Sequence, residues 1–255
     1  MNDLALLDIQ DAYISFGGIS ALNNCSLEIH KGNTTGVIGP NGAGKTTLFN
    51  AISGIKRLDK GQILYKGTRI SNLLPHQIFK LGISRTFQIP REMKEMTVLE
   101  NLMIVPKNQT GEFTSSALFR SKKIKLEENK IRKLAFEVLE LVGLNDHADN
   151  FASTLSGGQK KLLEFARTLM SEPEIVLLDE PAAGVNRTLL TKLLEAITTA
   201  KNEFGTTFVI IEHDMELVMQ FCNPIIVMSD GKKIAEGSPN IIRNNPDVLE
   251  AYLGF

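Results

Sequence analysis

Hydrophobic and polar positions divide this chain into segments of different period. From about Leu4 to His30, short apolar stretches are split by Gly17-Gly18 and by Asn23-Asn24, which predicts strands joined by turns and a β-rich entrance. Thr34 to Gly39 reads as a β-branched strand, followed by a glycine turn and a helix-like run from Lys45 to Ser53. Gln62 to Ile70 reads as a further β stretch, broken at Gly67. Between about Pro90 and Leu155 the period changes. Within Glu127 to Val142, the residues Ile131, Leu134, Ala135, Val138, Leu139 and Val142 recur at three and four, the spacing of one helix face. From Ile175 onward strands alternate with helices: Ile175 to Asp179, then Leu189 to Phe204, Phe208 to Glu212, Met215 to Phe221 and Ile225 to Met228. That alternation predicts a parallel sheet with crossover helices, and the middle stretch then reads as a helical insert in an α/β protein.

Composition narrows the classes. Lys plus Arg is 28 and Asp plus Glu is 29, a net charge of -1, so no basic excess argues for nucleic acid and no acidic tail for a solvating role. At 255 residues and 43% hydrophobic, with a mean hydropathy of -0.02, the chain has ample length for the core of one large domain or two small ones. Apolar runs such as Ile175 to Leu178 and Phe208 to Ile211 fall far short of the roughly 18 to 20 residues that span a bilayer. Met1 to Leu7 carries Asp3 and no cationic stretch, so a secretory signal is not supported. These features place the chain in the cytoplasm, or on the inner face of the membrane if a partner holds it there. Cys25 and Cys222 lack any CxxC or CxxH spacing and read as inert core thiols. Arg120 to Lys133 holds seven basic and two acidic residues and reads as a solvated helix face, with docking to acidic lipid or a partner as the alternative.

Chemistry enters at Gly39-Pro40-Asn41-Gly42-Ala43-Gly44-Lys45-Thr46, which fits G-x-x-x-x-G-K-[ST] without a gap. Such a loop converges backbone N–H groups on phosphate oxygens, the following helix adds its positive end, and Lys45 adds a mobile cation. Thr46 can place its hydroxyl on Mg2+. The candidate nucleotide set is Gly39, Asn41, Gly42, Gly44, Lys45, Thr46 and Thr47. A second signal is Ile175-Val176-Leu177-Leu178-Asp179-Glu180, an apolar strand ending in two carboxylates. Ligand sites in parallel sheets lie at the carboxyl ends of strands, so Asp179 is placed to act on the metal and Glu180 to orient or deprotonate an attacking water.

The third signal, Leu155-Ser156-Gly157-Gly158-Gln159 just before a helix, closely resembles the signature sequence of ABC-type ATPases. Its Ser hydroxyl, glycine N–H groups and helix N-terminus form a second anion site able to hold a γ-phosphate. The resemblance covers nearly the whole chain. It implies the P-loop NTPase core of the ABC ATPase type, with an antiparallel β subdomain and a helical subdomain: residues 1–87 and 160–255 as core, about 88–159 as helical subdomain, all within one ABC ATPase domain. It further implies that Phe16 stacks on adenine and that Gln88, in Arg85-Thr86-Phe87-Gln88, approaches Mg2+ and the attacking water. His213 is implied to be a switch histidine contacting the γ-phosphate. The run Ala182-Ala183-Gly184-Val185-Asn186 departs from the family pattern, which ends in Asp.

Within the family, Arg85 to Gln88, Met96 to Asn101, Glu212 to Met215 and the ending Glu250 to Gly254 resemble the LivG-type ATPases of branched-chain amino acid importers. This implies an ATP-hydrolysing subunit with ATP and Mg2+ as cofactors. The implied partners are a homodimer or a heterodimer with a second ABC ATPase, integral membrane permeases and, indirectly, a solute-binding protein, with no nucleic acid. A soluble ABC ATPase serving as an assembly scaffold in iron-sulfur cluster biogenesis, or a transporter ATPase for urea, amides or lipopolysaccharide, shares much of the same pattern. ATP-driven closure is expected to move residues from about Ile89 to Leu102 as a body. The apolar set Ile89, Met93, Met96, Val98, Leu99, Leu102 and Met103 exceeds what one short helix buries on its own side, and either leaves members for a partner or forms a purely internal core.

Overall fold

A computed structural model describes residues 5–86, 92–107, 109 and 121–253. Two compact units emerge: residues 1–85, 174–181 and 201–255 form the first, and residues 86–173 with 182–200 the second.

The first unit contains two sheets. One is antiparallel, in the order β2-β1-β4-β5, from β1 (Leu7–Phe16), β2 (Ile19–Ile29), β4 (Lys60–Tyr65) and β5 (Thr68–Arg69). Gly17 and Gly18, both at positive φ, make the predicted β1–β2 turn. Asn23-Asn24 is not a turn, because it lies inside β2, where Asn24 at φ 56 accompanies a register shift against β1. In β1 the buried residues are Leu7 and Ile9, then Ala12 and Ile14. Asp11 at φ 49 inserts one residue, so the inward parity changes while the buried face stays continuous.

The second sheet has the order β10-β9-β3-β8-β7-β6. Its strands are β3 (Thr34–Ile38), β6 (Ile83–Arg85), β7 (Ile175–Asp179), β8 (Thr207–Ile211), β9 (Ile225–Ser229) and β10 (Lys232–Gly237), all parallel except the β9–β10 edge pair. Strands β3, β7 and β8 are buried along their whole length, as the continuous apolar runs of a parallel sheet covered on both faces require. Helix α1 (Lys45–Ile52) buries Leu48, Phe49, Ala51 and Ile52 in the same core as Ile9, Ile14, Leu177, Val209 and Ile226. Cys25 and Cys222 are buried free thiols, and burial pushes them up to about 11 and about 12, which keeps both protonated at neutral pH. Helices α2 (Pro75–Lys80), α8 (Pro239–Arg243) and α9 (Pro246–Leu253), with strands β6 and β10, extend the predicted set. Each is eight residues or shorter, too brief for a periodicity to declare itself.

The second unit is built on α3 (Val98–Met103), α4 (Ser121–Val142) and α5 (Gly157–Leu169), which pack on one another. Thr97 and Glu100 cap α3 reciprocally: the Glu100 N–H donates to Thr97 Oγ1 (3.1 Å) and the Thr97 N–H to Glu100 Oε2 (2.8 Å). Val98, Leu99 and Leu102 are core, as are Ala135, Val138, Leu139 and Val142 of α4. The first half of α4 is solvated: Lys123, Lys125, Lys130, Arg132 and Lys133 are all exposed. Helix α6 (Arg187–Phe204) is capped by Asn186, whose Oδ1 accepts the Leu189 N–H at 3.0 Å. Asn caps a helix as well as Asp does, so the departure from the family pattern costs nothing locally. Among the described residues, no helix is long and apolar enough to cross a membrane. Helix α7 (Met215–Phe221) begins at Asp214, whose Oδ1 accepts the Leu217 N–H at 3.1 Å.

Candidate nucleotide site

Register in the parallel sheet sets the first half of the site. Val37 of β3 pairs with Ile211 of β8, which pairs with Asp179 of β7, so these three strands end in one row. The glycine loop, Asp179-Glu180 and Glu212-His213 therefore emerge side by side at the carboxyl edge of the sheet. Gly39, Gly42 and Gly44 all take positive φ. At Gly44, φ is 97 and a Cβ would sit 2.3 Å from the Ala21 carbonyl oxygen, so only glycine can lead into α1. Asn41 and Thr46 are exposed and Thr47 is half-buried, these threonines forming the first turn of α1, whose N–H groups have no acceptor within the helix.

Lys45 is buried, and its Nζ donates to the Gly39 carbonyl (2.7 Å) and the Pro40 carbonyl (3.0 Å). Burial lowers its pKa, opposed by the negative charges of Glu180 and Asp179, so one cation lies within reach of both carboxylates. Glu180 adopts φ 50, rare for a residue with a side chain, and its N–H is held by the Ile211 carbonyl at 2.9 Å. His213 Nε2 lies 2.9 Å from Glu180 Oε1. A carboxylate only accepts, so Nε2 carries the proton in this contact. Asp179 is buried, and its Oδ2 accepts from Arg85 Nη2 at 2.8 Å. Phe16 ends β1 and is 49% exposed, with Lys56 Nζ 4.8 Å from its ring centroid, so it is not a core residue.

The signature forms the N-terminus of α5. Ser156 Oγ accepts the Gln159 N–H (3.3 Å) and the Ser156 N–H donates to Gln159 Oε1 (2.9 Å), a capping box. Because Oε1 is thereby assigned, Gln159 Nε2 is the donor toward His147 Nε2, 2.9 Å away. Gly157 faces open space, whereas a Cβ on Gly158 would lie 2.7 Å from Leu189 Cδ1, so any larger residue there obliges the Leu189 side chain to move. Gln88 lies outside the described residues. Four positions later, Glu92 pairs with Lys160 of α5 at 3.0 Å. Burial raises the Glu92 carboxyl, but the Lys160 hydrogen bond and nearby positive charge outweigh it and leave the pKa below its usual range.

Residues 22–183 match the ABC transporter family model. This chain belongs to the ABC transporter family, as one of its ATP-hydrolysing cassettes. Residues 232–254 match the model described as branched-chain amino acid ATP-binding cassette transporter. The chain is 44% identical over 98% of its length, and 96% of the relative, to the probable branched-chain amino acid transport ATP-binding protein LivG of Archaeoglobus fulgidus. It is 41% identical to the high-affinity LivG protein of Escherichia coli K12, covering 98% of each. A solved ADP conformation of an ABC transporter ATP-binding cassette superposes with a TM-score of 0.82 at 37% identity, covering 99% of this chain and 100% of that one.

The ABC cassette's oxygen donors suit Mg2+. Asp179 and the Thr46 hydroxyl offer hard oxygen donors, and among the described residues no cluster of three or more His, Cys, Asp or Glu forms a closed cage. Mg2+ characteristically takes one or two carboxylates and completes its shell with phosphates and water. Several residues of the two units are not marked by the sequence as functional. Arg85 and Tyr252 stand inside segments that carry the family resemblance, yet their partners, Asp179 and the Gly39 backbone, are invisible without the fold. His147 and the Glu92–Lys160 pair had no sequence signal at all.

Proposed function

We propose that this ABC cassette is the ATP-hydrolysing subunit of a branched-chain amino acid importer, peripheral on the inner face of the membrane. The observation that carries this reading is near-full-length identity above 40% to LivG proteins, together with the C-terminal family match. Nothing observed favours the scaffold reading.

In this reading the Gly39–Thr47 loop and Lys45 grip the nucleotide phosphates, and Thr46, Asp179 and Gln88 hold Mg2+, which neutralises phosphate charge. Glu180 activates water, and His213, now bonded to Glu180, reports the γ-phosphate. Ser156, Gly157, Gly158 and Gln159 serve the nucleotide of a second cassette, so one chain carries two half-sites and ATP closes a dimer. Whether that second cassette is identical or different, the permeases dock outside the nucleotide site and a solute-binding protein acts through them.

Phe16 as the adenine platform gives a direct prediction. Phe16→Ala should weaken ATP binding by about 1 to 3 kcal/mol, the range for base–aromatic stacking, with an unchanged unfolding temperature because the ring is not in the core. Fluorescent-nucleotide titration and thermal unfolding read the two quantities separately.

The permease surface follows from what α3 and the residues just before it leave uncovered. Val98, Leu99 and Leu102 are internal, but Met93 is 43% exposed, and Met96 and Met103 are half-buried. Met93→Glu should leave the isolated ATPase nearly unchanged while abolishing ATP-driven leucine uptake in vesicles reconstituted with the permeases and binding protein. Wild-type vesicles that hydrolyse ATP yet import no branched-chain amino acid would refute the substrate. Normal uptake by Met93→Glu would remove this surface from the coupling path.

A further inference from the structure

Arg85 ends β6 opposite Leu177 of β7, and Asp179 lies two residues further along the same face of that strand. Both side chains are buried, 9% and 3% exposed, so neither charge is sustained by solvent. An arginine in such a position depends on the donors it can match; among the described residues Nε finds no hydrogen-bond partner, so the two terminal nitrogens carry the anchoring. Here Nη2 meets Asp179 Oδ2 at 2.8 Å, while Nη1 meets Asn50 Oδ1 at 2.7 Å and Ser53 Oγ at 3.3 Å. The guanidinium carbon also lies 5.7 Å from the Phe49 ring centroid.

Phe49 and Asn50 belong to α1 and Ser53 is its C-cap. This end of a helix carries the partial negative charge that favours a cation. Arg85 is thus anchored to α1 by contacts that do not depend on Asp179. The other end of the same helix begins at Lys45 and Thr46, in the phosphate loop. One guanidinium fork therefore ties the carboxylate at the end of β7 to the helix that presents the loop. A fork with two rigid arms fixes direction as well as distance, which a lysine cannot do.

We propose that Arg85 is a positioning residue for the Mg2+ site: by taking Oδ2 of Asp179 from a guanidinium anchored on Asn50 and Ser53, it sets the rotation of that carboxylate relative to the phosphate loop. This rests on the reading of Asp179 as the metal-binding carboxylate. Asp179 turned by a few tens of degrees would still be buried and still be charged, but would no longer face the metal at the nucleotide phosphates. The consequence falls on metal-dependent nucleotide binding and spares the metal-free component, which the loop N–H groups and Lys45 supply.

The test measures the dissociation constant of a fluorescent ATP analogue for the full-length protein, with EDTA and then with Mg2+. In Arg85→Gln the affinity in EDTA should match wild type, and the gain on adding Mg2+ should shrink by roughly tenfold, as for loss of one charge-assisted hydrogen bond. Arg85→Lys, which retains the charge without the fork, should recover only part of the gain. If the buried substitutions prevent folding, Asn50→Ser removes the shorter of the two anchoring hydrogen bonds, leaves Asp179 and Arg85 in place, and should reduce the gain by roughly twofold to fivefold. A folded Arg85→Gln or Asn50→Ser whose Mg2+-dependent gain equals or exceeds that of wild type overturns the proposal. Asp179→Asn separates the two layers. If it keeps the full gain, the metal reading of Asp179 fails; if it loses the gain while Arg85→Gln keeps it, only the role of Arg85 fails.

Discussion

Lys45→Ala should reduce ATP hydrolysis at saturating MgATP by at least about 100-fold, the scale on which removal of a single preorganised charge-stabilising donor is felt. The side chain is buried, so its ammonium is held in a site where Coulomb interactions are poorly screened. Its two present acceptors, the carbonyls of Gly39 and Pro40, belong to the loop itself. They are a resting place, and β- and γ-phosphate oxygens would replace them as stronger acceptors. The charges of Glu180 and Asp179 already act on this lysine, so its removal would also leave two carboxylates uncompensated beside the proposed phosphate site. Binding should weaken together with turnover, because the cation acts in both states. Phosphate release measured against a thermal unfolding control checks this, and undiminished turnover would end the assignment of Gly39 to Thr46 as the phosphate loop.

Glu180→Gln should do something different: hydrolysis falls by roughly 100 to 10,000-fold while ATP still binds. The substitution retains the geometry. The backbone N–H of residue 180 keeps the Ile211 carbonyl, and an amide oxygen can still accept from His213 Nε2. Only the negative charge that would draw a proton from water is gone. Single-turnover hydrolysis beside a nucleotide-binding titration separates the two effects. Normal hydrolysis in this variant would mean that another group is the base.

Much of this site is legible in the sequence because its parts are contiguous. The glycine loop, the apolar strand before Asp179 and the Ser156 capping box each fit within eight residues, and local physics suffices to recognise them. The alternation after Ile175 likewise forecast the parallel strands, because helices and strands of ordinary length carry their own periods. The β entrance was harder. A single inserted residue at Asp11 reverses the inward parity of β1, and a positive φ at Asn24 lies within β2 where it resembles a turn. The exposure of Phe16 could not be read from its neighbours either, since a hydrophobic residue at a strand end suits a core equally well. Arg85, Glu92 and His147 were silent for a different reason. Each matters through a partner more than ten residues away, on a separate element, and no local pattern records such a pairing.

The composite site is tested most directly by sedimentation of Glu180→Gln with and without MgATP, alone and combined with Ser156→Arg. Ser156 is exposed at the N-terminus of α5, where an arginine would break the capping box, set a cation against the positive helix end and crowd out a nucleotide presented by a second copy. The account predicts a monomer without nucleotide, a dimer with MgATP, and a dimer weakened or lost in the double variant. A Glu180→Gln protein that binds MgATP yet stays monomeric, both alone and mixed with a partner cassette purified from the same transporter, would contradict it.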